Sequence, residues 1–278
     1  MPKNLSSAIQ TGPLSVGNVV SAGLRIYRDH FKSYFGLAFV AYLWLLVPIY
    51  GWAKFSAISG LISRLAFGEV RENPETVNDA RREVNPRMWS FLWAGILTFL
   101  IFVGVSLVGS IAIGILAGGA AVLFGQNGAV ISVLLTVVAV IAFLIIYIRI
   151  ISRLLIIELP LAIENNLSGG EAIGRSWQLT KGSVGRIQWI VLVAFLISLP
   201  LGIVVNILSV ILQGVLTALF GPESSLFFLV YYILIVGLSF ANGAALLPFW
   251  QAIKAVIYYD LRSRKEGLGL EMRDSILE

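Results

Sequence analysis

The sequence predicts an all-α fold: a polytopic helical membrane protein with about six hydrophobic segments in three hairpins, each preceded by an amphipathic helix at the membrane interface. Three observations predict it. From Met88 to Tyr147 there is no Asp, Glu, Lys, Arg or His, and from Ile187 to Ile253 the only charge is Glu223. Uncharged apolar runs of about 18 residues or more match the hydrocarbon core of a bilayer. The hydrophobic fraction is 58% and the charged fraction 13%, against roughly 45 to 50% and about 25% in soluble domains. Finally, an amphipathic stretch followed by an apolar hairpin occurs three times, the mark of a repeated unit. The chain reads as a single integral membrane domain over 1–278, with units at 13–68, 74–160 and 167–262 and a tail at 263–278.

The first unit opens with LSVGNVVSAGLRIYRDHF at Leu14. Val16, Val19, Val20, Gly23, Tyr27 and Phe31 share one helical face, and Asn18, Ser21, Arg25, Arg28, Asp29 and Lys32 cover the other, with Arg25 and Asp29 spaced as an i,i+4 pair. This pattern suits a helix in the headgroup region with its cations toward anionic lipid. Packing against the cytoplasmic ends of the bundle is the alternative, and the two are compatible. An apolar hairpin follows over 31–68, bent at PIYG (Pro48 to Gly51), with short arms near 33–48 and 52–68. Lys54 and Arg64 make the second arm a weak span unless they snorkel to opposite interfaces. A re-entrant pair that stops short of a full crossing is the other reading.

The second unit starts at ETVNDARREVNPRMW (Glu75) and the third at LSGGEAIGRSWQLTKGS (Leu167). Ser15 with Asn18, Thr76 with Asp79 and Ser168 with Glu171 all place a hydroxyl three residues ahead of a polar side chain. That spacing is a helix start, because the hydroxyl satisfies free N–H groups of the first turn. The turns GQNG at 125–128 and GPESS at 221–225 divide the two long tracts into helices near 89–123, 129–158, 186–218 and 226–260. These exceed a bare span, which tilt, projection beyond the bilayer, or a break near Gly118-Gly119, Pro200 or Pro248 would accommodate. Both turns lack Lys and Arg, whereas the connections and the tail are basic, so both termini are expected in the cytoplasm. No cleavable signal peptide is expected at the N-terminus.

The strings PLSVGNVVSAGLRIYRDHF, EAIGRSWQLTKGSVGRIQWI and QAIKAVIYYDLRSRKEGLGLE resemble the membrane domain of bacterial glycerophosphoryl diester phosphodiesterases and related multi-pass families of unknown function. The likeness runs from Pro13 to Glu271. It implies a six-segment helical domain in a bacterial cytoplasmic membrane, and no activity. The phosphodiesterase chemistry of that family belongs to a separate barrel domain with two catalytic histidines and metal-holding carboxylates, whereas this chain has a single histidine, His30.

No catalytic or metal constellation emerges and no cofactor is expected; with no cysteine there is no disulfide and no thiolate site. Arg149, Arg153 and Lys254 read as interface anchors, with Arg149 in reach of Glu158 or a lipid phosphate. The neutral core residues Asn206 and Asn242 are the sharpest intramembrane polar candidates, as interhelical hydrogen-bonding groups or as substrate contacts. Ser106, Ser110, Gly114 and Gly118 recur every fourth residue and predict a packing surface within the monomer or between copies. The basic residues Arg25, Arg28, Lys32, Arg81, Arg82, Arg175, Lys181, Arg186, Arg262, Arg264 and Lys265 predict a collar that contacts anionic lipid headgroups. The net charge of +5 is scattered through short loops, which does not point to nucleic acid. The reading is a non-enzymatic membrane protein that organises lipid or a membrane-protein partner, including a second copy of itself. The alternative is a transporter of a small molecule or lipid through a cavity between the hairpins.

Overall fold

Helix formation follows the caps and turns of the sequence closely. The computed structural model describes residues 14–125 and 128–267, and among these there is no strand. The helices are α1 (Val16–Asp29), α2 (Phe31–Trp44), α3 (Tyr50–Val70), α4 (Val77–Val84), α5 (Met88–Leu123), α6 (Gly128–Leu154), α7 (Glu158–Ile163), α8 (Gly169–Thr180), α9 (Val184–Phe220) and α10 (Ser225–Glu266). α1, α4 and α8 each begin on the hydroxyl that the spacing indicated: Ser15 accepts from the Asn18 N–H, Thr76 from Asp79, and Ser168 from Glu171. Part of the GQNG turn and the tail beyond Gly267 lie outside the described residues.

Four helices, α5, α6, α9 and α10, are long and apolar enough to cross a membrane. They pair as α5 with α6 and α9 with α10. At one end of the four the chain gathers α1, α4, α7 and α8 into a base that holds nearly all the buried side chains, including Ile156, Leu159, Leu179, Ile253 and Tyr258. At the other end the side chains stand open, Val122 at 82% and Leu219 at 70% exposed, as apolar residues do when lipid is their solvent. Pro200 and Pro248 break neither helix; α9 and α10 run through both. The extra length is continuous helix, which leaves tilt or projection. Asp260 lies 35 residues after Ser225, about 52 Å along α10 at 1.5 Å per residue, well past a hydrocarbon core of roughly 30 Å.

Two elements differ from the sequence reading. α3, the weakest span on composition, is the centre of the base: Leu61, Ile62, Ser63 and Ala66 are at most 2% exposed, enclosed by α2, α4, α5, α7 and α10. Arg64 does not snorkel, because its guanidinium donates to Glu75 at 2.7 and 3.0 Å and to the Ala162 carbonyl at 2.8 Å. Its partner α2 has only 14 residues, about 21 Å of helix. Tyr42 of that helix meets Phe240 of α10 with ring centroids 5.7 Å apart, so the α2–α3 turn stands about 20 Å short of the start of α10.

α1 is the other, and there the structure shows the packed placement that the sequence held compatible with an interfacial one. Its apolar face is covered by protein: Leu14 meets Asp260, Gly23 meets Ile253 and Tyr27 meets Phe249, so α1 runs antiparallel along α10. A Cβ at Gly23 would lie 2.7 Å from Ile253 Cγ1, and the glycine is what permits this approach. Asp29 pairs with Arg28 at 3.3 Å rather than with Arg25.

Candidate functional site

The segments that carried the family resemblance converge in the base, and their chemistry is that of fasteners. Asp260, 6% exposed, accepts the Leu14 N–H at 3.1 Å, Arg186 Nη1 at 2.7 Å and Arg264 Nη2 at 3.2 Å, and Arg186 also donates to the Leu14 carbonyl. Glu164 accepts Arg175 Nε at 2.9 Å and the Tyr258 hydroxyl at 2.6 Å. Arg175 reaches Glu266 as well, and Arg262 donates to the same Glu266 at 2.7 Å. Lys265 donates to the carbonyls of Gln178 and Lys181, closing the end of α8 onto α10. Burial works against the Arg175 charge, but hydrogen bonds and attraction from Glu164 and Glu266 outweigh it and place its pKa above the ordinary guanidinium value.

Of the expected collar, therefore, Arg175, Arg186, Arg262 and Arg264 are held by carboxylates of the same chain. Arg28 pairs with Asp29, though both side chains are at least half exposed. Lys32, Arg81, Arg82 and Lys181 are exposed. Arg25 lines a hollow between α1, α3 and α10 beside His30, whose Nε2 lies 3.2 Å from Glu69. Arg153 lies over the Trp177 ring, 4.6 Å from its centroid.

The packing stripe predicted on α5 does not pack within the monomer. Ser110, Gly114 and Gly118 are exposed, and a Cβ on either glycine would meet nothing within 4 Å. α5 turns a different face to α6, where a Cβ on Gly109 would lie 2.1 Å from Phe143. Ser106 accepts from the Ser110 hydroxyl through its carbonyl. Asn206 is exposed and donates to Gly202 of its own helix at 2.8 Å, so it bridges to no neighbour.

Asn242 leads to the site that the sequence reading missed. Its Oδ1 is buried with no hydrogen-bond partner among the described residues, and it lines a cleft between α2, α3, α7 and α10 that continues to α5 and α6. The cleft consists of two hollows, about 310 and about 620 Å³, that share Phe55, Ser59, Leu155, Glu158 and Lys254 as a common wall. Both volumes are in the range of small-molecule sites. At the wall Lys254 Nζ donates to Glu158 Oε2 at 2.9 Å, with the side chains 16% and 33% exposed. Beside the pair, Ser63 donates to Gln251 Oε1 at 2.8 Å, and Gln251 in turn donates to Ser59.

Local sequence explains how the ion pair forms. Pro160 has no N–H and cannot continue the α6 ladder, so the chain bends at Leu155 to Ile157 and restarts as α7 with Glu158 in its first turn. Glu158 thus faces α10 and Lys254, while Arg149, for which Glu158 or a lipid phosphate was within reach, stands exposed. On α10, Ser239, Asn242, Leu246, Trp250 and Lys254 follow one another at three- and four-residue steps and line the same cleft. That stripe was a signal available in the sequence. Asn242 lies about 25 Å and Lys254 about 43 Å from Ser225 along α10, so an upright crossing that began at Ser225 would place Asn242 within a hydrocarbon core of roughly 30 Å and Lys254 beyond it.

A comparison with protein-family models, with curated proteins and with solved structures gives no match in any of the three.

Proposed function

We propose that this chain is a multi-pass integral membrane protein, without catalysis of its own, that takes a lipid or other amphiphilic small molecule into the cleft beside Glu158 and Lys254. Binding of this kind is what a transporter of such a molecule requires. One observation carries the proposal: an ion pair and an amide oxygen without a partner among the described residues line one largely apolar cleft. A buried polar atom left unpaired is costly, and a polar occupant would satisfy it.

In this reading four helices cross the membrane and the α2–α3 hairpin re-enters it from the base, giving six apolar segments in three units. The base and both termini face the cytoplasm of a bacterial cell, consistent with the positive-inside rule and with the resemblance to the glycerophosphodiesterase-associated membrane domains. The exposed cations Lys32, Arg81, Arg82 and Lys181 support an accompanying contact with anionic lipid or a partner protein at the base.

The test is a plug for the cleft. Gly95 lines it, and a Cβ there meets nothing within 4 Å, so the side chain of Gly95→Phe starts in open space at the hollow and serves as the plug. Native mass spectrometry of purified protein should show tightly held lipid on the parent chain and loss of it on Gly95→Phe, with thermal stability unchanged. Equal retention by both proteins overturns the proposal.

A further inference from the structure

The chemistry of the cleft narrows its occupant, an inference that rests on the amphiphile-binding reading above. Glu158 and Lys254 are the only acid–base groups lining it among the described residues, apart from the phenol of Tyr42. The site as a whole is therefore neutral, with one charge of each sign 2.9 Å apart. Neither partner is saturated. An ammonium has three protons, of which Lys254 directs one to Glu158, and a carboxylate accepts at both oxygens, of which Glu158 uses Oε2. Gln251, by contrast, has both ends of its amide engaged, by Ser63 and Ser59, and is 1% exposed, out of an occupant's reach.

An anionic headgroup would meet Lys254 but place its negative charge against Glu158 with nothing to offset it. A net-neutral headgroup bearing both signs satisfies the pair in a crossed arrangement, phosphate to Lys254 and ammonium to Glu158. Charge-assisted hydrogen bonds of this kind are roughly twice as strong as neutral ones, and a primary ammonium donates them where a trimethylammonium has no proton to give.

The tail has a matching place. On α5 the face that lines the cleft through Phe91, Gly95, Thr98 and Phe102 continues at helical spacing through Val105, Gly109 and Ala112. These last residues wall a groove of about 550 Å³ between α5 and α6, bounded on α6 by Ala139, Phe143 and Ile146. Headgroup cleft and apolar groove thus lie in sequence along one helix face, in the direction a lipid's headgroup and chain follow.

We propose that the cleft holds a zwitterionic glycerophospholipid with a primary amine in its headgroup, its phosphate on Lys254, its ammonium on Glu158, and an acyl chain along the α5–α6 groove. The experiment offers purified protein equimolar phosphatidylethanolamine, phosphatidylcholine and phosphatidylglycerol of identical chains, with bound lipid read by native mass spectrometry at high salt to suppress surface binding. The ethanolamine lipid should be retained about five-fold or more over the other two, the ratio expected from one added hydrogen-bonded contact. The double variant Glu158→Gln/Lys254→Met, which leaves no unpaired charge, should erase that preference, and Gly95→Phe should remove bound lipid of every headgroup. Preference for phosphatidylglycerol, or none, with Gly95→Phe still stripping lipid, overturns the headgroup assignment and leaves the cleft as the site. Retention insensitive to Gly95→Phe overturns both.

Discussion

Asp260 is the residue on which attachment of the N-terminal helix depends, and its removal has a calculable consequence. Its carboxylate takes a backbone N–H from Leu14, a guanidinium N–H from Arg186 and another from Arg264, while being 6% exposed. Arg186 is 21% exposed and Arg264 33%, so solvent screens the second pair more than the first. Breaking a buried ion pair by deleting one partner costs about 3 to 5 kcal/mol, because a charge is left behind. The i,i+4 pair to Arg264 adds about 0.3 to 0.5 kcal/mol at most. Asp260→Ala should therefore destabilise the protein by about 3 to 4 kcal/mol. Asp260→Asn keeps one acceptor for Leu14 but turns an amide toward a guanidinium, and about 2 kcal/mol is expected. Adding Arg186→Met to Asp260→Ala removes the stranded charge and should recover part of the loss, a coupling that a double-mutant cycle measures. Unfolding by sodium dodecyl sulfate from mixed micelles gives the energies, and hydrogen exchange at Val19 and Val20 reports whether α1 detaches first. If Asp260→Ala changes stability by less than about 0.5 kcal/mol, or if α1 keeps its protection, the fastening role is refuted.

Two further outcomes follow from local geometry. Gly109→Ala should cost about 1 to 3 kcal/mol by forcing Phe143 aside, whereas Gly114→Ala, with open space around it, should gain up to about 1 kcal/mol from helix propensity; matched unfolding curves for the pair test this. Ser168→Ala should raise hydrogen exchange in the first turn of α8. The Ser168 backbone N–H, then its hydroxyl, hold the Glu171 carboxyl below its ordinary 4.5, so the cap contributes stability above that pH and loses it as pH falls through the lowered value. Protection of the amide at position 171, taken relative to its intrinsic exchange rate, should fall from pH 6 to pH 3 in the parent chain and stay flat in Glu171→Gln.

What could be read from the sequence was local. Helix starts rest on a hydroxyl and an N–H three residues apart, so Ser15, Thr76 and Ser168 announced α1, α4 and α8 correctly. Uncharged length announced α5, α6, α9 and α10 to within a few residues, because a span is a property of one segment. The misplacements all concern partners distant in the chain. Arg64 was judged by its cost in lipid, but Glu75 and the Ala162 carbonyl supply its counter-charge and acceptor. Glu158 is one of two partners the sequence offers Arg149, the other being a lipid phosphate, yet the bend at Pro160 turns Glu158 to Lys254, 96 residues away. The α5 stripe of small side chains says only that a close approach is possible: within the monomer α6 stands on another face, which leaves an approach between copies.

The same distinction bears on the basic residues. A count of Lys and Arg predicts orientation, since the cost of moving a cation across a membrane is paid before folding is complete. It does not predict lipid contact, which depends on charge left over after folding. Here the carboxylates Glu164, Asp260 and Glu266 sit among the arginines of the same segments and neutralise Arg175, Arg186, Arg262 and Arg264. Among the exposed charges of the base are Lys32, Arg81, Arg82 and Lys181, which no carboxylate among the described residues holds, at the rim of α2, α4 and α8. In the proposed reading a basic base, cross-linked at its centre and charged at its rim, supports orientation and surface attraction together, while the neutral cleft above it chooses by headgroup. The two kinds of lipid contact then separate by salt: attraction at the rim falls with ionic strength over a Debye length of about 8 to 10 Å, and the partly buried pair of Glu158 and Lys254 is screened far less.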